Sequence, residues 1–218
     1  MKEKKIQLYS LATPNGQKAS IALEEMQIPY DAHRIDIREG DQFTDAYVKI
    51  NPNSKIPAIV DPNGPDGEPL TIMESGAILI YLAEKSGQFL SQDPRIKSET
   101  LQWLFFQVGH VGPMFGQFGH FFVFAKDTCE HPYPIERYTK ETKRLLTVLD
   151  RRLEGRDCLV GEAYSIADIA TVPWVNCLVN FYKASDVLGI ESFKNVERWR
   201  ALCNDRPAVK VGAVVCPV

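Results

Sequence analysis

Strand-like and helix-like patterns alternate over the first part of the chain and then give way to helical patterns alone. Alternating and β-branched stretches predict strands at residues 5–10, 30–37, 55–60 and 70–73. Helical spacing of apolar residues predicts helices at 19–26, 42–50 and 75–85. The predicted order is therefore β-α-β-α-β-β-α, with a parallel first pair of strands and a hairpin at the end. This order predicts an α+β domain over residues 1–87.

After a linker at 87–94, the remaining patterns are helical. The predicted helices cover residues 96–125, 135–153, 166–181 and 196–205. Several glycines and Pro113 lie within the first of these helices, so we expect it to kink or break. Pro207 is expected to end the last one. The second domain is therefore predicted to be all-α, over residues 95–218.

Composition excludes several classes of partner. The chain has 218 residues, of which 44% are hydrophobic and 24% charged, which is typical of globular proteins and long enough for two domains. A protein that binds nucleic acid needs a basic face to neutralise phosphates, so a net charge of −3 argues against nucleic acid as a partner. No apolar run approaches the ~20 residues that cross a bilayer. The charged start has no apolar core behind it, so we expect neither a membrane segment nor a signal peptide.

The cysteines argue against a disulfide framework. Their number is odd, their spacing is wide, and no CxxC pair occurs among Cys129, Cys158, Cys177, Cys203 and Cys216. A zinc site is disfavoured for the same reasons, and His110 and His120 have no metal-binding spacing. We therefore expect a reducing, cytoplasmic location and no metal.

Three short motifs stand at junctions of predicted elements, and each has a functional and a structural interpretation. Thr13-Pro14-Asn15-Gly16 stands at the start of a predicted helix. In the functional interpretation, its donors and the helix dipole stabilise a thiolate; in the structural one, it is only a capped turn. Ile56-Pro57 is either a cis bond that turns the Ile56 backbone towards an extended peptide or an edge-strand proline. Glu74-Ser75 stands at a later predicted helix start, with Ser75 as the expected N-cap. In the functional interpretation, Glu74 binds the ammonium group of an amino acid and the helix start binds its carboxylate; in the structural one, the pair only caps the helix.

The order and spacing of these motifs resemble the glutathione transferase superfamily. The likeness spans nearly the whole chain and includes residues 54–59, 74–78 and 161–169, the last similar to the family's C-domain capping motif. A narrower likeness is to the bacterial Nu class, which is related to the yeast nitrogen regulator with a transferase fold. It rests on residues 13–16, 40–43, 101–109, 112–114 and 135–138. The resemblance implies a thioredoxin-like first domain, disulfide-bond reductase activity with glutathione, and a homodimer with active sites near its interface.

The resemblance also implies a role for each matching residue. Asn15 and Thr13 would contact the glutathione sulfur, and they are the predicted catalytic residues. The predicted glutathione-binding set is Thr13, Asn15, Gln42, Lys55, Ile56, Pro57, Glu74, Ser75 and Arg137. In this set Gln42 would hold the glycine carboxylate, and the Ile56 backbone beside cis Pro57 would pair with the cysteinyl unit. Glu74 and Ser75 would bind the γ-glutamyl end, and Arg137 would reach a carboxylate of a second glutathione.

The absence of cysteine from the first 128 residues points to a mechanism. A thioredoxin-like domain without a thiol cannot use a CxxC pair. Bound glutathione is therefore the expected nucleophile that attacks a disulfide, and a second glutathione completes the exchange. The predicted function is a glutathione-dependent disulfide-bond oxidoreductase that acts on a small disulfide or electrophile, with transferase or peroxidase side activity. Two alternatives are conventional conjugation of electrophiles and a non-catalytic regulatory module of the same fold.

Three further residues invite a catalytic assignment but have a simpler structural explanation. Tyr9 lies within the first predicted strand and Ser10 precedes the helix start, so both rank below Asn15. Ser165 to Asp168 has the form of a capping box with Asp in place of Glu. Loss of Asp168 is therefore expected to cost stability, by about 0.5–2 kcal/mol.

Overall fold

The computed structural model describes residues 4–218, which fall into two compact units. Unit 1 consists of the described residues up to Leu90 together with Arg206–Val218, and unit 2 is Ser91–Asp205. Residues 206–218 thus pack with unit 1, although the sequence pattern groups them with the second domain. The chain therefore returns to its first unit after completing the second.

In the described part of unit 1, four strands form one mixed sheet. The strands are β1 Ile6–Ser10, β2 Tyr30–Arg34, β3 Ala58–Asp61 and β4 Leu70–Met73. The helices that accompany them are α1 Pro14–Glu25, α2 Asp45–Val48, which follows a 3-10 turn at Asp41–Phe43, and α3 Ser75–Ser86. The strand order is β2-β1-β3-β4, with β1 parallel to β2 and the other pairs antiparallel. The predicted α+β order, including the hairpin, is confirmed.

Unit 2 is helical throughout, as predicted. Its helices are α4 Pro94–Phe106, α5 Gly112–Gly119, α6 Tyr133–Arg152, α7 Ile166–Asn176, α8 Ser185–Leu188 and α9 Lys194–Asp205. Trp199, Phe115 and Phe118 are fully buried in its core, where Leu145 and Leu149 of α6 join them. Within residues 4–218, none of the helices combines the length and apolar character needed to cross a bilayer.

The chain stays helical from Pro94 to Phe124, so of the kink or break that was expected, the break does not occur. A π-helical turn at Gln107–Val111 joins α4 to α5, and a second one follows α5 at His120–Phe124. The wider turn accommodates Pro113, which would disrupt a regular α-helical ladder. The glycines allow close packing: a Cβ at Gly119 would lie 2.0 Å from the ring of Tyr182.

Asp168, in the first turn of α7, is buried and joins three segments. Its Oδ2 accepts hydrogen bonds from the backbone N–H and the hydroxyl of Ser165, both at 3.0 Å. Its Oδ1 accepts from the Leu159 N–H at 2.8 Å and from the Trp199 indole N–H at 2.9 Å. Burial raises the pKa of this carboxyl, and the four donors oppose that shift. Asp168 therefore completes the capping box and also ties α7 to α9.

Helix α10, Pro207–Gly212, packs along α1. The Arg206 guanidinium forms two hydrogen bonds to the Glu25 carboxylate, at 2.5 and 2.7 Å, and the Ser20 hydroxyl donates to the Gly212 carbonyl at 2.7 Å. Pro207 begins this helix, because the first turn leaves the N–H that proline lacks unpaired in any case. Helix α9 ends at Asp205, before Pro207, as expected, but the further helix that Pro207 begins was not expected.

Candidate functional site

Three loops that carry the predicted motifs open at the same end of the sheet. Tyr9, near the end of β1, pairs with Ala58 at the start of β3, and Ala58 pairs with Met73 at the end of β4. The segment 13–16 follows β1, Pro57 immediately precedes β3, and Glu74 immediately follows β4. Strand register therefore brings together motifs that lie far apart in the sequence.

The start of α1 offers hydrogen-bond donors. Thr13 is the N-cap, and its Oγ1 accepts from the Gly16 N–H at 3.4 Å, which leaves the hydroxyl hydrogen to donate to a ligand. Asn15 is half-buried in the first helical turn. The helix dipole adds positive potential at this end. The arrangement suits a thiolate, as the sequence interpretation requires.

Gly16 allows α1 to start close against the end of β1. A Cβ at this position would lie 1.9 Å from the Leu11 carbonyl oxygen and 2.5 Å from Ser10 Oγ. Any larger residue would push Thr13 and Asn15 away from the strand that orients them.

The loop before β3 contains a cis peptide bond between Ile56 and Pro57, as the family resemblance implied. Its Lys55 carbonyl accepts two hydrogen bonds, from Tyr47 Oη at 2.6 Å and from Asn51 Nδ2 at 2.7 Å. Among the described residues, the N–H and C=O of Ile56 form no backbone hydrogen bond, so both are available to an added strand. Tyr47 and Asn51 thus hold the loop in place, and the sequence alone gave no sign of this because the contacts depend on the fold.

The start of α3 differs by one residue from the sequence expectation. Glu74 is the N-cap, with φ of 68°, and its side chain makes no capping bond, whereas Ser75 is the first helical residue. The prediction that Ser75 is the N-cap is therefore wrong. Because Ser75 is not used to cap its own helix, its hydroxyl is free for another role, and Glu74 is exposed beside it.

Lys18 of α1 reaches the same point and was missed by sequence reasoning. Only 1% of it is exposed, and its Nζ donates to Ser75 Oγ at 3.1 Å. Burial lowers the pKa of this amine from 10.5 to about 7, and the nearby Glu74 carboxylate opposes the shift. A lysine at helical spacing from the buried Ile21 and Ala22 is the sequence signal that would have identified it.

Gln42 lies in the 3-10 turn before α2 and is buried. Its Nε2 donates to the Ile37 carbonyl at 3.2 Å, and its buried Oε1 has no partner among residues 4–218. The second Nε2 hydrogen and Oε1 are thus left for a ligand. Asp36 orders the preceding loop by accepting bonds from Arg38 and Arg34, whose guanidinium groups hold the pKa of Asp36 well below its usual range.

The remaining predicted residues have different surroundings. Lys55 is exposed in the loop before β3, and Arg137 is exposed on α6 in unit 2, one turn before Glu141. Tyr9 stacks on His33 with ring centroids 4.7 Å apart, and Ser10 is buried. Tyr9 therefore packs against a neighbouring ring, as the sequence suggested, and the roles of all the predicted site residues remain predictions.

One cysteine belongs to the described part of unit 1, because the tail returns to it. Cys216 is buried, and burial raises the pKa of its thiol, so it is not a thiolate at neutral pH. In residues 4–218, no cluster of three or more His, Cys, Asp or Glu side chains could hold a metal ion. Within unit 1, the described residues therefore offer neither a ready thiolate nor such a cluster.

Family models match both parts of the chain. The model described as the N-terminal domain of glutathione S-transferase matches residues 12–85, and that for the C-terminal domain matches residues 112–207. Among curated relatives, the disulfide-bond oxidoreductase YfcG of Escherichia coli is 48% identical over 93% of this chain and 92% of its own length. The disulfide-bond oxidoreductase YghU of the same species is 46% identical over 96% and 74%.

Solved structures of similar proteins contain glutathione. A glutathione transferase family member from Pseudomonas fluorescens with two glutathione bound has a TM-score of 0.96 and 53% identity, covering 97% of this chain and 93% of the other. A glutathione transferase from Pseudomonas putida with one glutathione disulfide per subunit has a TM-score of 0.94 and 54% identity, with coverage of 96% and 91%. These similarities extend over both units.

Proposed function

Since this chain belongs to the glutathione S-transferase family, we propose that it is a glutathione-dependent disulfide-bond oxidoreductase in which bound glutathione supplies the reacting sulfur. The names of the two Escherichia coli relatives and the glutathione disulfide bound by the Pseudomonas putida protein support this assignment. A homodimeric state, a cytoplasmic location and the absence of a resident metal are part of the same proposal.

The observation that carries the proposal is a thiolate-stabilising helix start beside a cis-proline loop whose Ile56 backbone forms no backbone hydrogen bond among the described residues. Thr13 and Asn15 supply donors at α1, and the Ile56 backbone is available for an extended tripeptide. Ser75 and Glu74 offer a hydroxyl and a carboxylate for a γ-glutamyl group. Such an arrangement can bind a peptide thiol, lower its pKa and orient its sulfur, while the protein itself contributes no sulfur.

The exchange takes place in two balanced steps. The glutathione thiolate attacks one sulfur of the substrate disulfide, which forms a mixed disulfide and releases the other sulfur as a thiolate that takes a proton from water. A second glutathione thiolate then attacks the glutathione sulfur of this mixed disulfide. Glutathione disulfide forms and the second substrate thiol leaves, so two glutathiones are oxidised as one disulfide is reduced. Gln42, Lys55 and Arg137 are proposed to hold carboxylates of the two glutathiones.

The test is turnover of a small mixed disulfide with glutathione by the full-length protein. A variant with all five cysteines replaced should keep its rate, whereas Asn15→Ala and Thr13→Ala should each lose about tenfold or more, since each removes a donor to the thiolate. Ser10→Ala is the matched control and should stay near wild type. Loss of activity in a folded cysteine-free variant would contradict the mechanism.

The two alternatives predict different outcomes of the same experiment. A conventional transferase would turn over a chlorodinitrobenzene-type electrophile much faster than the disulfide. A regulatory module would bind glutathione and turn over neither substrate. The disulfide-oxidoreductase names of the relatives favour the reductase.

A further inference from the structure

A buried amine lies directly behind the proposed γ-glutamyl subsite. Lys18 is 1% exposed, and its Nζ lies 3.1 Å from Ser75 Oγ, which is a neutral group. A charged amine in such a place is costly unless an opposite charge compensates it. Glu74, the acid whose charge acts on Lys18, is exposed to solvent. An anion bound at Ser75 would therefore stabilise the charged form of this amine.

The hydrogen bond between Lys18 Nζ and Ser75 Oγ also sets the direction in which the Ser75 hydroxyl donates. An ammonium group has three donors and no acceptor, so when Lys18 is charged Ser75 Oγ must accept from it. The hydroxyl hydrogen of Ser75 is then left for a ligand carboxylate at the start of α3. A neutral amine can instead accept that hydrogen, which turns the hydroxyl away from the ligand.

We propose that Lys18 is a positioning residue of the γ-glutamyl subsite and that glutathione binding draws a proton onto its amine. The inference rests on the proposed function, because it requires the α-carboxylate of glutathione to lie at Ser75. Lys18 acts through Ser75 by holding the serine hydroxyl as a donor, and its own positive charge balances the ligand's carboxylate.

The electrostatics of the ligand-free site agree with this geometry. Burial lowers the pKa of Lys18 to about 7, so the free protein contains both forms near neutral pH. Helix α1 packs against β1, α3 and α10. Of the titratable groups that these elements present within residues 4–218, Glu74 is the one whose charge acts on Lys18. A carboxylate bound at Ser75 would add a second negative charge, which favours the ammonium form.

Calorimetry with S-methylglutathione tests the inference. This probe has no thiol, so its sulfur can release no proton on binding. Titrations at pH 8 in buffers of different ionisation enthalpy should show uptake of up to about 0.9 proton per ligand, given a pKa of about 7 in the free protein. The apparent affinity of the wild type should fall about tenfold between pH 6 and pH 8 for the same reason.

Two variants and one control identify the group that takes up the proton. Lys18→Met removes the amine and should bind the probe more weakly, with no proton uptake and no change in affinity between pH 6 and pH 8. Lys18→Arg stays charged throughout and should also lose the pH dependence. Lys49→Met changes an exposed lysine of the same unit and should keep the wild-type uptake.

The outcomes separate this inference from the proposed function. Binding and disulfide turnover without proton uptake by the wild type would overturn the role of Lys18 and leave the function standing. Undiminished uptake in Lys18→Met would also overturn it. Failure of the wild type to bind S-methylglutathione or glutathione would instead remove the proposed function. If Lys18→Met does not fold, two results still test the inference: proton uptake by the wild type, and the loss of pH-dependent affinity in Lys18→Arg.

Discussion

Replacing Asp168 by alanine should destabilise unit 2 far more than the loss of a helix cap. The carboxylate accepts four hydrogen bonds, and its removal strands the N–H groups of Leu159, Ser165 and the Trp199 indole in a fully buried place. Each orphaned buried donor costs about 1–3 kcal/mol, and some of this is offset because the buried carboxylate is itself desolvated. We expect Asp168→Ala to lower the free energy of unfolding by about 3–5 kcal/mol.

Urea unfolding followed by circular dichroism measures this loss. With a typical slope of about 2 kcal/mol/M, the midpoint should fall by about 2 M at an unchanged slope. Asp93→Ala is a matched control, because Asp93 also caps a helix, accepting bonds from Arg95 and Ile96, but is exposed. It should cost only about 0.5–2 kcal/mol. Equal losses in the two variants would refute the argument that burial of the stranded donors sets the cost.

Three further results are expected. Gly212→Ala places a Cβ 2.6 Å from Ile21 Cα and should destabilise by about 1–3 kcal/mol in urea, whereas Gly109→Ala, with open space around it, should stay within about 0.5 kcal/mol. Asn51→Ala removes a bond to the cis-proline loop and should weaken glutathione binding about tenfold by calorimetry, at an unchanged unfolding slope. The folded-state pKa of Lys18 is lowered to about 7, so the unfolded chain holds that proton more tightly between pH 7 and 10.5. Stability without ligand should therefore rise with pH across this window, and Lys18→Met should lack that rise.

Each of these results has an outcome that would count against it. An unshifted urea midpoint for Gly212→Ala would mean that α10 moves away from α1 at little cost. Wild-type affinity in Asn51→Ala would mean that Tyr47 alone holds the Lys55 carbonyl. Parallel pH curves for the wild type and Lys18→Met would mean that the amine is charged in the folded protein throughout.

Local pattern predicted much of this structure because most elements are decided by nearby residues. The strand at residues 70–73 and the helix from Ser75 to Ser86 follow from alternation and helical spacing. The cis bond before Pro57 was implied by the family resemblance, because a proline at a strand entrance alone left two interpretations open. What was missed depends on distant contacts. The burial of Lys18 requires α3, and the long helix through Pro113 requires π-helical turns that spacing does not reveal.

The fate of Pro207 shows the same limit. The end of α9 before Pro207 was expected from the sequence, but the helix that Pro207 begins was not, because it depends on contacts between α10 and α1. Asp168 was recognised as a cap from four consecutive residues, but its bonds to Leu159 and Trp199 connect parts of the chain that only the fold brings together.

The return of residues 206–218 to unit 1 has a consequence for how the protein is made. The N–H of Ala12, immediately before Thr13, donates to the carbonyl of Cys216 at 2.8 Å, and Gln17 donates to the carbonyl of Ala213 at 3.0 Å. On the ribosome these tail residues emerge only after the whole helical unit. A nascent or prematurely terminated chain would therefore lack both of these hydrogen bonds to the segment around Thr13.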